Sequence, residues 1–222
     1  MNKTSTTILR IDASMRKQNS VSRNLADMVV KKILANTSDA EVISRDLKSG
    51  VGFANQAWRE ASLGRPAQRS TEDRVLLAQS DALSSELDRA DILVLAVPIY
   101  NFSIPAILKA WIDMVCRSNI DGLQATNQAI RPQEKRAVVI LTSSYTMTGA
   151  PDDFTSNYLN FILPFIGVGQ ITMINATGLA TDKQAVLAAA HDQIENITAL
   201  MPFGDIKSGI AIPGDNISAA AE

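Results

Sequence analysis

An α/β fold with a doubly wound, five-stranded parallel sheet and helices on both faces is what this sequence predicts. Three observations carry the prediction. Short β-rich apolar runs alternate five times with segments of helical periodicity, which requires βαβ crossovers and hence parallel pairing. Two of those runs, residues 92–97 (ILVLAV) and 137–141 (AVVIL), are apolar without a break, as strands covered on both faces must be. The chain has 222 residues, 46% of them hydrophobic and 20% charged, enough to bury one sizeable core.

Taken in order, the first strand covers residues 8–12 and runs into a polar loop over 13–20. Leu25, Met28, Val29 and Ile33 then share one face of a helix. Residues 41–47 alternate as a strand at or near a sheet edge does, and 50–66 are loop-rich. Leu76, Leu83 and Leu87 keep helical spacing up to Asp91. Pro98 stops the strand at 92–97; Pro105 suits a first helical turn, and Ile107, Leu108, Trp111, Ile112 and Val115 carry that helix onward. After the strand at 137–141, residues 152–166 read as a helix whose end Pro164 limits or kinks. The last strand covers 171–175 and the last helix 183–200. Residues 203–222 are small and polar enough to form a partly disordered tail. That leaves a single domain over 1–222 with its core at roughly 7–200, and no internal repeat, charge block or linker.

Composition excludes several function classes. Lys plus Arg number 21 against 23 for Asp plus Glu, a net charge of -2, so the surface is not built for nucleic acid or anionic lipid. No apolar run approaches the roughly 18–20 residues that span a bilayer, and the polar start Met1-Asn2-Lys3-Thr4-Ser5 does not read as a signal peptide. One cysteine, Cys116, rules out an intramolecular disulfide and a thiolate metal cluster, and a cytoplasmic location follows as the expectation. One histidine, His191, and no HExxH argue against zinc catalysis. GxSxG, GxxxxGK[ST] and GxGxxG are all missing; Gly167 and Gly169 are followed by Thr172 where the last motif needs glycine. If the chain is an enzyme, a bound cofactor carries the difficult step.

In a doubly wound sheet ligands bind beyond the carboxyl ends of the strands, so the loops after Asp12, Val97, Leu141 and Asn175 matter most. The first loop offers hydroxyls at Ser14, Ser20 and Ser22 ahead of a helix start, whose unpaired N–H groups and dipole favour an anion, with Arg16 or Lys17 adding charge. That pattern fits a phosphate; it also fits Ser20 as an ordinary N-cap beneath a solvated basic loop. The second segment, Pro98-Ile99-Tyr100-Asn101-Phe102-Ser103-Ile104-Pro105, is stiffened by two prolines. A rigid backbone edge there can meet the edge of a flat heterocycle while Tyr100 and Phe102 cover its faces. The alternative is a helix start whose aromatics close the core.

With these residues in view, the chain resembles the FMN-dependent NADH-azoreductase/quinone reductase family. The stretch from Pro98 to Asp113 (PIYNFSIPAILKAWID) follows that family's P-[MI]-Y-N-F-x-I-P-x-x-L-K-x-[WY]-[IF]-D signature almost position for position, and Ser14 with Ser20-Val21-Ser22 matches its first loop. The resemblance runs along roughly residues 7 to 200. It implies a flavodoxin-like fold and a homodimer with FMN in clefts shared between subunits. NADH or NADPH would be the electron donor, and a quinone or an azo compound the acceptor, reduced in a ping-pong reaction. It also implies that Ser14, Ser20, Val21 and Ser22 bind the FMN phosphate, and that Ile99, Tyr100, Asn101 and Phe102 meet the ribityl chain and isoalloxazine ring.

Two places depart from the family pattern. Where the family has S-R-G-G after the fourth strand, this chain has Thr142, Ser143, Ser144 and Tyr145, which the resemblance places among the cofactor-binding residues but whose side chains narrow the approach of backbone to flavin; Tyr145 can stack on the ring or donate to it. After Arg117 the family's T-F-x-Y stretch is replaced by residues 118–125 without aromatics, which implies a more polar substrate pocket or a roof from elsewhere, such as Trp58. These departures leave a non-catalytic flavin- or nucleotide-binding module as the alternative. A hydrolase using Ser14 or Cys116 would need His191 within hydrogen-bond reach. The remaining residues have bland readings: Cys116 and Trp111 as core, Lys109 and Asp113 as an i,i+4 surface pair, Trp58 as either binding rim or core filler.

Overall fold

The computed structural model describes residues 5–16, 18–117 and 135–197. Lys17, the aromatic-poor stretch 118–125, the expected end of the last helix at Leu200 and the tail 203–222 lie outside the described residues. Five strands, β1 (Thr6–Asp12), β2 (Ala40–Asp46), β3 (Ile92–Pro98), β4 (Lys135–Thr142) and β5 (Val168–Ala176), form one sheet in the order β2-β1-β3-β4-β5. Every neighbouring pair is parallel. Among the described residues, five α-helices lie between the strands, α1 (Val21–Ala35), α2 (Gln56–Leu63), α3 (Thr71–Arg89), α4 (Ala106–Val115) and α5 (Phe154–Phe165), and α6 (Lys183–Glu195) follows β5.

Alternation along the strands divides the core in two, because successive side chains of a strand point to opposite faces. Leu9, Ile11, Leu93, Leu95, Val139 and Leu141 pack with α3, α4 and α5. Ile8, Val94, Ala96, Val138, Ile140 and Ile174 pack with α1 and α6. β3 and most of β4 are buried on both sides, which explains their unbroken apolar runs. β2, at the edge, is only partly buried, matching its alternating sequence. Trp111 is wholly buried on α4 and is core, as its place in the apolar stripe implies. Cutting such a side chain back to alanine costs about 3–5 kcal/mol.

Two elements differ from the sequence reading. The 50–66 stretch contains α2, whose start is capped by the Asn55 side chain accepting from the Trp58 N–H at 2.9 Å. Two turns with little apolar content leave no periodicity to read, and Trp58 is half-buried against the core rather than on an open rim. On α3 the buried face runs through Leu77, Ser80, Leu83, Ser84 and Leu87, and Leu76 is exposed. The stripe is rotated because α4 approaches over small residues: the Ser80 hydroxyl donates to the Met114 carbonyl at 2.7 Å. Leu76 and Leu77 satisfy helical spacing equally well, so only the position of α4 decides between them.

The strands end nearly level where it matters. Asp12 pairs with Ala96, Pro98 with Thr142, and Thr142 with Ala176, so the loops after β1, β3, β4 and β5 leave the sheet side by side. The chain steps outward from β1 to β2 and then back across to β3, making the β1/β3 boundary the topological switch point.

Candidate functional site

A crevice of about 280 Å³ opens at that switch point, lined by Ser14, Arg16, Ser20, Val21, Ser22, Pro98, Ile99, Tyr100, Thr142, Ser143, Ser144 and Leu179. Nine of these are residues the sequence singled out as cofactor-binding; Arg16 was named there as a source of charge and Pro98 as the end of the strand. Leu179 was missed. It comes from the loop after β5, and its only sequence signal is its place beyond a strand's carboxyl end.

At the first loop, Ser20 occupies the N-cap position of α1 but its hydroxyl makes no capping hydrogen bond. It lies instead 3.2 Å from the Ser22 hydroxyl, and both residues are buried in the crevice wall. An N-cap serine that only ended a helix would accept from the N–H of the first turn. Leaving that turn uncapped, beside two convergent hydroxyls, creates a cluster of neutral donors at the positive end of a helix dipole. Ser14 completes the cluster; its Oγ accepts from the Arg16 N–H at 3.3 Å.

A charged network supports this loop from behind. Arg10 pairs with Asp12 (3.1 Å) and Asp27, and Arg23 pairs with Asp46 (2.7 Å) and Asp12 (3.3 Å). Burial pushes the Asp12 carboxyl up, in spite of both guanidiniums, whereas the hydrogen bond from Arg23 holds Asp46 below the usual carboxylate range.

The second wall is the segment after β3. The Ile99 N–H continues the sheet by donating to the Thr142 carbonyl at 2.7 Å. Tyr100 and Ser103 then exchange backbone hydrogen bonds of 2.9 and 3.1 Å around a two-residue turn. Both central residues, Asn101 (φ 48°) and Phe102 (φ 69°), are left-handed, the requirement of the tight turn that reverses a strand. Asparagine tolerates this; a phenylalanine there is strained and is held by its surroundings. Asn101 and Phe102 form the tip of the turn beside the crevice rather than its lining, with the Phe102 ring half exposed. Tyr100 crosses to the first loop, its hydroxyl accepting from the Met15 N–H at 3.4 Å.

The third wall is the loop that replaces the family's glycines. Thr142 and Ser143 are buried, and the Ser143 hydroxyl is engaged within the protein, donating to the Thr146 carbonyl and accepting from the Gly178 N–H at 3.3 Å. The Leu179 and Ala180 N–H groups donate to the Ser143 and Ser144 carbonyls at 3.0 Å, so the loops after β4 and β5 move as one piece. Tyr145 is 82% exposed and does not line the crevice, so it neither fills the opening nor stacks within it. Further along, Asp153 caps α5 and gathers the loop, accepting from the N–H of Gly149, Thr155 and Ser156 and from the Ser156 hydroxyl. Burial raises its pKa, but those four hydrogen bonds outweigh burial and hold the carboxyl below its ordinary value.

Other chemistries find no support in the geometry. Cys116 packs against the core on the α3/α4/α5 side of the sheet, and His191 is exposed on α6, which covers the opposite side. The sheet separates them, so they form no nucleophile–base pair. Lys109 and Asp113 form the expected exposed i,i+4 pair. Among the described residues no group of His, Cys, Asp or Glu is placed to hold a metal ion, and no helix is long and apolar enough to cross a membrane.

Comparison with known proteins gives consistent results. Residues 6–198 match the Flavodoxin_2 family, a flavodoxin-like fold. The FMN-dependent NADH:quinone oxidoreductase 1 of Colwellia psychrerythraea (strain 34H / ATCC BAA-681) is 40% identical over 191 residues, covering 86% of this chain and 99% of its own. The protein of the same name from Hahella chejuensis (strain KCTC 2396) is 39% identical over 194 residues, covering 87% and 95%. Among solved structures, an azoreductase from Bacillus anthracis str. Sterne superposes with a TM-score of 0.73 at 16% identity, over 86% of this chain and 95% of that one. An FMN-dependent NADH-azoreductase from Bacillus anthracis str. Ames Ancestor, in complex with FMN, gives 0.70 at 17% identity, over 86% and 96%. At these identities the structures establish the shared fold.

Proposed function

Because this chain belongs to the flavodoxin-like family of FMN-dependent NADH:quinone oxidoreductases, we infer that it moves two electrons from NADH to a quinone, with FMN held in the crevice at the β1/β3 switch point. The observation that carries the placement is the uncapped start of α1. Ser20 sits at the N-cap yet leaves its hydroxyl 3.2 Å from that of Ser22, which suits a phosphate better than it suits a helix end alone. Ser14, Ser20, Val21 and Ser22 hold the phosphate; Ile99 and the 100–102 turn provide a rigid edge for the ring; Thr142, Ser143 and Ser144 form the opposite wall.

Bound in that crevice, FMN would supply the two-electron redox chemistry between a reduced nicotinamide and the acceptor. The chain's own part is binding and orientation. Its described crevice lining contains no carboxylate and no imidazole, so solvent supplies the protons that a reduced quinone takes up. Donor and acceptor occupy the same open side in turn, which predicts ping-pong kinetics; azo compounds, being flat and electron-poor, serve as further acceptors. A homodimer is supported by the apolar side chains exposed at the rim and on α5: Phe102, Tyr145, Met147, Phe154 and Phe161. The use of NADH and a single cysteine support a cytoplasmic location.

Purified protein should be yellow, or turn yellow with added FMN, and its visible bands should bleach with NADH under anaerobic conditions. Steady-state reduction of a benzoquinone should then give parallel double-reciprocal lines. Protein that stays colourless in excess FMN refutes the assignment; a yellow protein that reduces no quinone reduces it to a flavin-binding module.

A further inference from the structure

We propose that Arg23 is a positioning residue for the FMN phosphate, acting through the backbone of Ser14 without touching the phosphate itself; this rests on the FMN reading above. Arg23 does not line the crevice. Its Nη2 donates to the Ser14 carbonyl at 2.7 Å and to Asp46 Oδ1 at 2.7 Å, while Nη1 donates to Asp46 Oδ2 at 3.0 Å and faces Asp12 Oδ2 at 3.3 Å. One planar fork on α1 thus joins the last residue of β1, the last residue of β2 and the loop that carries the serine hydroxyls. Its side chain is only 15% exposed, so competing water is kept from the guanidinium, while the Asp46 carboxylate is 43% exposed.

The physical consequence falls on Ser14. A carbonyl oxygen turned into a phosphate site repels the anion; here that oxygen is held by a guanidinium, while Ser14 still lines the crevice. Charge acts in the same direction. Arg10 and Arg23 stand against Asp12, Asp27 and Asp46, so the network already carries one excess negative charge behind the phosphate loop. Without Arg23, one guanidinium faces three carboxylates, and the Asp12–Asp46 repulsion is no longer bridged. Lysine keeps the charge but cannot make the fork.

The test separates phosphate from ring. Apoproteins of the wild type, Arg23→Ala and Arg23→Lys are titrated with FMN and with riboflavin, which lacks the phosphate, following flavin fluorescence. Arg23→Ala should weaken FMN binding about 10- to 100-fold, the range for losing a hydrogen bond to a charged group, and leave riboflavin affinity unchanged. Arg23→Lys should show the same selective loss at smaller size; if Arg23→Ala does not fold, that variant decides by the same ratio. An equal loss for both flavins makes Arg23 a structural residue only and overturns the proposal, as does no loss for either. Wild-type protein that binds neither flavin overturns the FMN reading itself and this inference with it.

Discussion

The Phe154 N–H donates to the Phe102 carbonyl across 3.1 Å, so the first residue of α5 holds the second left-handed residue of the turn at the crevice. The strained turn and the helix after β4 are therefore one mechanical unit, although 52 positions separate the two residues.

Phe154→Pro tests that link with little collateral damage. Proline is tolerated at the first helical position, Asp153 before it is already extended (φ -86°, ψ 90°), and the Phe154 ring is 63% exposed. The substitution removes the N–H together with an exposed ring, so Phe154→Ala, which loses the ring and keeps the N–H, is its control. Urea unfolding should show a loss of about 1 kcal/mol, and FMN affinity should fall as the 100–103 turn loosens.

Ser20→Asp separates helix capping from phosphate binding. A carboxylate at the N-cap accepts from the first turn and complements the dipole, so the apoprotein should gain about 0.5–1 kcal/mol. The same charge repels a phosphate, and FMN binding should be abolished. Thermal melting of the apoprotein and a flavin titration should therefore move in opposite directions.

Asp153→Asn should lower stability at neutral pH by about 1–3 kcal/mol, because a buried acceptor of four hydrogen bonds loses its charge. The sign with pH follows from the depressed carboxyl. Its contribution is present above the unfolded pKa of about 4 and is lost as pH falls through the lower folded value. Urea curves of wild type and variant should differ most at pH 7 and converge in acid.

Gly178→Ala strains the loop after β5. The residue has φ +81°, and an added Cβ would meet Met147 Sδ at 2.5 Å. Met147 is half exposed and can swing away, but the left-handed backbone cannot relax, so the loss should be about 1–2 kcal/mol. Removing the thioether with Met147→Ala should recover only part of it, as read by thermal melting of the double variant.

Much of the fold is legible in the sequence because hydrophobic periodicity is local. The unbroken apolar runs of β3 and β4, the alternation of β2 and the stripe of α4 each follow from residues within a few positions of one another. The four loops at the crevice follow from strand order alone, and the serines of the first loop and the proline-flanked turn stand out by residue type. The motif that resembles the FMN-dependent quinone reductases is likewise a continuous stretch of chain. Tertiary structure decided the rest. Whether Leu76 or Leu77 faces inward depended on where α4 lies. Tyr145 turns outward to solvent, and Arg23 reaches Asp46 because β2 lies beside β1. A hydrogen bond between residues far apart in the chain leaves no periodic trace, since its energy depends on positions that only the completed sheet sets.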